Sequence, residues 1–209
     1  MSDQHLTDIE FSSLALDASL LAALDKLKFK HCTPIQAESI PLLLDGKDVS
    51  GQAQTGTGKT MAFLLACAQK LLSANQIVAS PGKPRALILA PTRELALQIH
   101  TDASALLVDV PLKLAICYGG KAYEQQKQQF DNGVDILIGT PGRLIDFFKQ
   151  KLTDYNWNEI TSVRSSTSVL TYSLNKRIMT IQIAPIKYSN LYNSNISITM
   201  SPSINSKVK

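Results

Sequence analysis

A glycine- and threonine-rich stretch stands directly before an apolar helical pattern, and this pair of features limits the possible folds more than any other. The helical pattern runs from Met61 to Leu72, and the stretch before it reads Ala53-Gln54-Thr55-Gly56-Thr57-Gly58-Lys59-Thr60. Two glycines let the backbone curl so that its N–H groups point inward, and a helix N-terminus adds partial positive charge at the same place. The pattern predicts a phosphate-binding loop, and the alternative is a chance turn before a helix.

Within this loop, two side chains have expected roles in binding and in chemistry. Lys59 is placed to reach the β- and γ-phosphates of a nucleotide, and the Thr60 hydroxyl is placed to ligate Mg²⁺. Ala53 stands where the usual pattern of such loops has glycine. The loop therefore predicts a nucleoside triphosphate with Mg²⁺ as its ligand.

Strand-length apolar runs alternate with helical patterns along most of the chain. Such alternation predicts an α/β fold with a parallel, doubly wound sheet, which binds its ligands beyond the carboxyl ends of the strands. The predicted strands cover Asp48–Gln52, Arg85–Ala90, Leu112–Tyr118 and Val134–Gly139. The predicted helices begin after Asp17, Thr33 and Thr92, at Met61, near Tyr123 and at Thr140.

The segment from Thr33 to Gln36 has a specific local interpretation. Thr33 suits an N-cap, Pro34 suits the first helical position, and Gln36 completes a capping-box pattern. From these residues alone, the Gln36 side chain is expected to reach back to the backbone of Thr33.

Cysteine usage and the N-terminal sequence indicate a reducing compartment. The chain has three cysteines, Cys32, Cys67 and Cys117, which are far apart and include no C-x-x-C pair. This pattern argues against a disulfide framework or a zinc site and favours buried packing roles. The first ten residues lack the features of a secretory signal, and no apolar run approaches the roughly 18 residues of a membrane span. We expect a cytoplasmic protein.

Composition changes abruptly at Thr161. All 17 acidic residues and all 10 glycines precede this position, so that residues 1–160 carry a net charge of −2 and residues 161–209 carry +6. Residues 161–209 contain 11 Ser, 5 Thr, 5 Asn and 7 Ile, a bias unlike that of ordinary globular segments. We therefore divide the chain into residues 1–160, a nucleotide-binding unit, and residues 161–209, an atypical basic tail expected to be disordered or out of frame.

Four separated motifs together resemble those of the DEAD-box ATP-dependent RNA helicases. They are T-P-I-Q at Thr33 to Gln36, A-Q-T-G-T-G-K-T at Ala53 to Thr60, P-T-R-E-L-A-L-Q at Pro91 to Gln98, and T-P-G-R at Thr140 to Arg143. The resemblance covers about residues 5–160. It implies an incomplete RecA-like P-loop domain, ATP with Mg²⁺ as cofactors, RNA bound without regard to sequence, and RNA degradosome components as partners.

The resemblance also implies roles for particular residues. Gln36 would read the adenine edge while Phe29 stacks on the ring, a role compatible with the capping box. The implied ATP site comprises Phe29, Gln36, Ala53, Gln54, Thr55, Gly56, Thr57, Gly58, Lys59 and Thr60. The implied RNA site comprises Pro91, Thr92, Arg93, Gly119, Gly120, Thr140, Pro141, Gly142 and Arg143. The local alternatives are solvated or structural ion pairs for the two arginines and a simple turn for the two glycines.

The family's D-E-A-D tetrapeptide is missing from the position where the resemblance places it. The corresponding region, Ile160 to Thr167, contains no carboxylate, and neither an S-A-T motif nor a second RecA-like domain follows. We expect an ATP-binding part of a helicase that is inactive by itself, with a frameshifted or truncated reading favoured over a genuine fusion. The alternatives are a non-catalytic ATP- or RNA-binding protein that competes with an intact helicase and a different P-loop enzyme, such as a small-molecule kinase.

Overall fold

The computed structural model describes most of the chain up to Gln150 and three short strands after it. The described residues are 6–47, 49–52, 56–74, 81–82, 84–120, 123–150, 170–175, 178–183 and 197–200. The helices are α1 (Ala18–Lys26), α2 (Pro34–Leu44), α3 (Lys59–Ser73), α4 (Arg93–Leu106), α5 (Tyr123–Lys127) and α6 (Pro141–Lys149). The strands are β1 (Val49–Gln52), β2 (Ala86–Leu89), β3 (Leu114–Cys117), β4 (Ile136–Gly139), β5 (Leu170–Asn175), β6 (Ile178–Ile183) and β7 (Ser197–Met200).

Side-chain caps begin the helices where the sequence predicts them. The Asp17 carboxylate accepts a hydrogen bond from the Ser19 N–H, and the Thr92 hydroxyl accepts one from the Leu95 N–H. Each bond satisfies a donor that the first helical turn leaves without an intrahelical partner. These contacts confirm the predicted starts of α1 and α4.

The strands form one seven-stranded sheet in the order β3-β4-β2-β6-β5-β1-β7. Strands β3, β4, β2 and β6 run parallel, which agrees with the predicted doubly wound architecture. The pairs β6–β5, β5–β1 and β1–β7 are antiparallel, so this side of the sheet is mixed. Strands β5, β6 and β7 are the described part of residues 161–209, and the predicted change of character at Thr161 stays a prediction.

Helices cover both faces of β2, β3 and β4. Ala86 and Ile88 of β2 belong to one buried cluster, which they form with α1 to α4. Leu87 and Leu89 point to the opposite face, into a second cluster with Phe130, α5 and α6. Because successive side chains of a strand alternate between faces, a short apolar run such as β2 can contribute to two cores at once.

A buried ion pair lies below the amino-terminal ends of the parallel strands. The Arg85 guanidinium contacts the Asp135 carboxylate at 2.8 Å, and their side chains are 12% and 8% exposed. The second carboxylate oxygen of Asp135 accepts a hydrogen bond from the Lys113 N–H, and Arg85 also donates to the Leu71 carbonyl oxygen. This network joins the entries to β2, β3 and β4 with the end of α3.

The three cysteines are free and buried, as predicted. Burial raises the pKa of the Cys32 thiol to about 11 and the pKa values of the Cys67 and Cys117 thiols to about 12. Since the thiolate is the reactive form, these side chains act as small packing groups. Among the described helices, none has both the length and the apolar character that a membrane crossing needs.

Candidate functional site

The glycine- and threonine-rich loop ends in a turn that only glycine adopts easily. Gly56 and Gly58 have φ values of +82° and +86°, and α3 begins immediately afterwards at Lys59. At such angles a side chain is strained, so both positions favour glycine. Gly58 is the N-cap of the 15-residue helix α3, whose first N–H groups and dipole favour a bound anion. The predicted loop residues Ala53, Gln54 and Thr55 lie outside the described residues.

The side chain of Gln36 joins the start of α2 to this loop. Its Oε1 accepts a hydrogen bond from the Thr33 N–H at 2.9 Å, which is the predicted capping contact. Its Nε2 donates to the Gly58 carbonyl oxygen at 3.1 Å, while the Thr33 hydroxyl donates to the Thr57 carbonyl oxygen at 2.8 Å. A Cβ atom at Gly58 would stand 2.4 Å from Gln36 Nε2, so this glycine is also needed for the close approach. Gln36 is thus both a capping residue and a direct contact of the loop.

Lys59 occupies a partly desolvated position at the start of α3. Its ammonium group donates to the Thr57 hydroxyl at 3.3 Å, and burial lowers the pKa of the lysine. Removal of water makes the charged form costlier, and an anionic ligand would offset that cost. The local electrostatics therefore fit a polyphosphate.

A divalent cation fits here only together with such a polyphosphate. The Thr60 side chain is partly exposed at the start of α3. The described residues contain no group of three or more His, Cys, Asp or Glu side chains that could hold a metal ion. Mg²⁺ keeps several waters and commonly shares phosphate oxygens with one or two protein ligands. Thr60 would supply one such ligand.

Phe29 lies on the segment that leads to α2. This residue is 41% exposed, and the segment is held by a hydrogen bond from the Phe11 N–H to the Lys30 carbonyl oxygen. An isolated bridge between Glu10 and His31 adds to this support. An exposed ring on a fixed backbone is available for stacking.

The predicted nucleic-acid residues lie on three neighbouring loops at the carboxyl ends of β2, β3 and β4 and on the first turns of α4 and α6, which follow two of these loops. Backbone hydrogen bonds connect these loops, from the Ala90 N–H to the Gly139 carbonyl and from the Thr140 N–H to the Cys117 carbonyl. Gly139 allows the close approach, because a Cβ atom there would stand 2.6 Å from Cys117 Sγ. The residues brought together at this edge are Pro91, Thr92, Arg93, Gly119, Gly120, Thr140, Pro141, Gly142 and Arg143.

Both arginines at this edge rest on aromatic rings, which the sequence did not predict. The Arg93 guanidinium lies 5.0 Å from the centroid of the Tyr118 ring. The Arg143 guanidinium lies 5.7 Å and 5.8 Å from the centroids of Tyr123 and Phe147. Cation–π contacts of this kind orient a guanidinium without neutralising its charge. The available signal was an aromatic residue next to the glycine pair and another at the start of α5.

The nucleotide loop and the arginine loops open at the same edge of the sheet. Strand β6 runs parallel to β2, β5 runs antiparallel to β6, and β1 runs antiparallel to β5. Two reversals restore the direction, so the carboxyl ends of β1 and β2 point the same way. The sheet thus presents a helix start that favours anions and two oriented cations along one side.

Comparison with known proteins gives a family match for much of the chain. Residues 33–164 match the DEAD/DEAH box helicase family. The ATP-dependent RNA helicase RhlB of Serratia proteamaculans is 55% identical over 161 residues, which are 74% of this chain and 36% of that protein. The RhlB of Actinobacillus succinogenes is 54% identical over 156 residues, or 75% of this chain and 38% of that protein.

A solved structure shows the same fold. The crystal structure of a DEAD box protein from the hyperthermophile Methanococcus jannaschii superposes with a TM-score of 0.58 at 33% identity, covering 69% of this chain and 38% of that one. The chain thus spans less than two-fifths of the length of the curated relatives named above. The family match ends at Arg164, close to the compositional boundary at Thr161.

Proposed function

Because the chain belongs to the DEAD/DEAH box helicase family, we propose that it binds ATP with Mg²⁺ and RNA phosphates but does not unwind RNA by itself. The observation that carries the nucleotide half is the contact of Gln36 with both Thr33 and Gly58. An amide fixed against the phosphate loop is suited to sense a base and a phosphate chain together. Lys59 and the start of α3 would hold the phosphates, and Thr60 would share Mg²⁺ with them.

RNA is the proposed second ligand, bound along the loops that carry Arg93 and Arg143. Both guanidinium groups are oriented by aromatic rings at the edge that the nucleotide loop shares. Contacts from arginines and helix starts to phosphates hold a strand in place without reading its sequence. The relatives named RhlB are RNA helicases by name, and association with RNA degradosome components is the part of the proposal that depends on that likeness alone.

Catalytic inactivity is proposed from the residues that follow the last shared motif. Ile160 to Thr167 includes no carboxylate to hold Mg²⁺ or orient water. We further propose that residues 1–160 form the nucleotide-binding unit and that residues 161–209 are an atypical basic tail. A chain of this kind in the cytoplasm could compete with an intact helicase for RNA or for partners, and this second candidate is favoured by the same missing carboxylates.

Nucleotide binding tests the first half of the proposal. Titration of the full chain with a fluorescent ATP analogue and Mg²⁺ should give saturable binding that ATP displaces and that Lys59→Ala abolishes. Lys26→Ala is the matched control, because Lys26 is an exposed lysine paired with Asp109 on the surface. Binding that survives Lys59→Ala, or that GTP displaces as well as ATP does, would contradict the proposed site.

Phosphate release tests the proposed catalytic inactivity. Loss of one preorganised electrostatic group commonly costs about 10² to 10³ in rate, so no RNA-stimulated ATP hydrolysis is expected from the full chain. RNA-dependent phosphate release that disappears in Lys59→Ala would show that other groups replace the missing carboxylates.

The tail requires its own experiment. At low salt, the +6 charge of residues 161–209 is expected to dominate RNA binding, because phosphate contacts release counterions and are salt-dependent. Cutting the chain after Glu159 should remove most of the binding. If affinity survives the cut and collapses in Arg93→Ala, the family site binds RNA without help from the tail.

A further inference from the structure

The amide side chain of Gln126 substitutes for a neighbouring strand at the outer side of β3. Strand β3 is the outermost strand on its side of the sheet among the described residues, and no described strand pairs with its outer side or with Tyr118, which follows it. Gln126 Oε1 accepts a hydrogen bond from the Tyr118 N–H at 2.9 Å, and its Nε2 donates to the Tyr118 carbonyl oxygen at 3.2 Å. The residue is only 1% exposed. A buried amide bound at both ends to one backbone unit fixes that unit in position and orientation.

A second glutamine makes a simpler contact one turn further along. Gln129 Oε1 accepts a hydrogen bond from the Ile116 N–H at 3.1 Å. The two glutamines are three residues apart on consecutive short helical turns, and they bond to backbone N–H groups two positions apart. Gln129 bonds to Ile116 within β3, whereas Gln126 bonds to Tyr118 directly after it.

Tyr118 in turn supports the predicted RNA-contacting groups. The Arg93 guanidinium packs over its ring, and Gly119 and Gly120 follow it directly in the chain. Gly120 has a φ of +82°, and a Cβ atom there would stand 3.5 Å from the Arg93 guanidinium. A shift of the Tyr118 backbone would therefore displace both the arginine and the turn.

We propose that Gln126 is a positioning residue for RNA binding, holding Tyr118 so that Arg93 and the Gly119–Gly120 turn face the same phosphate. This inference rests on the proposed RNA-binding function. Gln126 does not contact RNA in this account, and its effect is transmitted through Tyr118. The ligand concerned is the sugar–phosphate backbone of single-stranded RNA.

The salt dependence of RNA binding separates positioning from simple structural support. Binding of a fluorescent oligouridine to the full chain is measured over a range of salt concentrations for the wild type, Arg93→Met, Gln126→Met and Gln129→Met. The slope of log K against log salt is negative, and loss of one phosphate contact makes it shallower by about 0.7 for a single strand. Arg93→Met and Gln126→Met should each show this shallower slope and about a tenfold loss of affinity near physiological salt, where the charge of the tail is screened more than at low salt. The double variant should lose no more than Arg93→Met alone.

Gln129→Met is the matched control. It removes the hydrogen bond to the Ile116 N–H and keeps both hydrogen bonds between Gln126 and Tyr118. Its slope should equal that of the wild type. The NMR signal of the Arg93 Nε–H group provides an independent readout, since the Tyr118 ring current shifts it. In Gln126→Met this signal should move towards its position in Tyr118→Leu. If Gln126→Met fails to fold, Gln126→Glu, which keeps the acceptor for the Tyr118 N–H, should show a smaller change in the same direction.

The outcomes distinguish the two levels of the proposal. If Arg93→Met leaves both slope and affinity unchanged, the proposed RNA site is wrong. If Arg93→Met makes the salt slope shallower while the Gln126 variants change neither this slope nor the NMR signal of Arg93, the RNA site stands and the positioning role is refuted. Equal effects of Gln126→Met and Gln129→Met would also refute it, because general support of the β3 edge would then explain both.

Discussion

Replacement of Asp135 by asparagine should destabilise the domain without altering its ligand sites. The carboxylate faces Arg85 below the amino-terminal ends of the parallel strands, whereas the loops of the candidate site follow the carboxyl ends. The change keeps the size of the side chain and an oxygen that can accept the hydrogen bond from the Lys113 N–H. It removes the negative charge that compensates the largely buried guanidinium.

The expected magnitude follows from the burial of the pair. Removal of one partner from a buried ion pair costs about 3 to 5 kcal/mol, mainly because the other charge stays desolvated. Since Arg85 keeps 12% exposure and a bond to the Leu71 carbonyl, we expect the lower end, about 3 kcal/mol. Asp135→Ala should cost about 1 kcal/mol more, because the partly buried Lys113 N–H also loses its acceptor. Domains are commonly stable by only about 5 to 15 kcal/mol, so either change is a large fraction of the total.

Urea denaturation followed by far-ultraviolet circular dichroism measures these costs. The decisive quantity is the coupling energy in a double-mutant cycle of Arg85→Met and Asp135→Asn, expected at about 2 kcal/mol or more. The exposed pair Lys26–Asp109 is the matched control, with side chains 64% and 60% exposed and an expected coupling below about 1 kcal/mol. A cost of less than about 0.5 kcal/mol for Asp135→Asn, or equal coupling in both cycles, would refute the account of the buried network.

Two further predictions concern the loop and the buried thiols. Gly58→Ala should weaken ATP binding more than Gly56→Ala, because both positions have positive φ but only a Cβ at Gly58 meets Gln36, at 2.4 Å; equal affinities in a titration of the two variants would contradict this. The Cys67 thiol, whose pKa is raised from 9.0 to about 12, stays protonated in the folded state while the unfolded thiol ionises, so stability should fall as the pH rises from about 9 towards 12. Cys67→Ala should reduce this decline by about 1.4 kcal/mol per pH unit. The free energy of unfolding of both proteins is measured with denaturant at pH 9, 10 and 11. If both lose stability with pH at the same rate, Cys67 is not buried.

The parallel half of the fold could be predicted because its signals are local. Apolar runs gave the strands, and threonine and aspartate caps gave the starts of helices. The predicted strand Leu112–Tyr118 is shorter in the structure, Leu114–Cys117. Its ends differ for physical reasons: the Leu112 N–H bonds to the Val110 carbonyl in a turn, and the backbone of Tyr118 bonds to Gln126. Strand ends depend on tertiary partners that a periodicity does not contain.

The features of the site that the sequence did not predict depend on contacts between distant residues. A glutamine-rich helix is typical of an exposed surface, and nothing in the local pattern distinguishes Gln126, which is 1% exposed, from its exposed neighbour Gln125. The support of Arg93 by Tyr118 joins residues 25 positions apart and arises only when β2 and β3 flank β4. The Gln36 contact with Thr33 was predictable from spacing, whereas its contact with Gly58 required the loop to fold back on α2.

The strands between β1 and β2 determine whether the glycine-rich loop after β1 lies at the same edge of the sheet as Arg93 and Arg143. Hydrogen bonding across the sheet passes from β2 through β6 and β5 to β1. Each antiparallel pairing reverses the chain direction, so the two reversals at β6–β5 and β5–β1 leave β1 aligned with β2. A hairpin contributes one strand of each direction and preserves this alignment, whereas an antiparallel pairing of β1 directly with β6 would turn the loop to the opposite edge. Cutting after Glu159 would therefore remove ladder partners as well as positive charge. Lost RNA binding with an unchanged circular dichroism spectrum would point to the charge, and lost binding together with lost strand signal would point to the sheet.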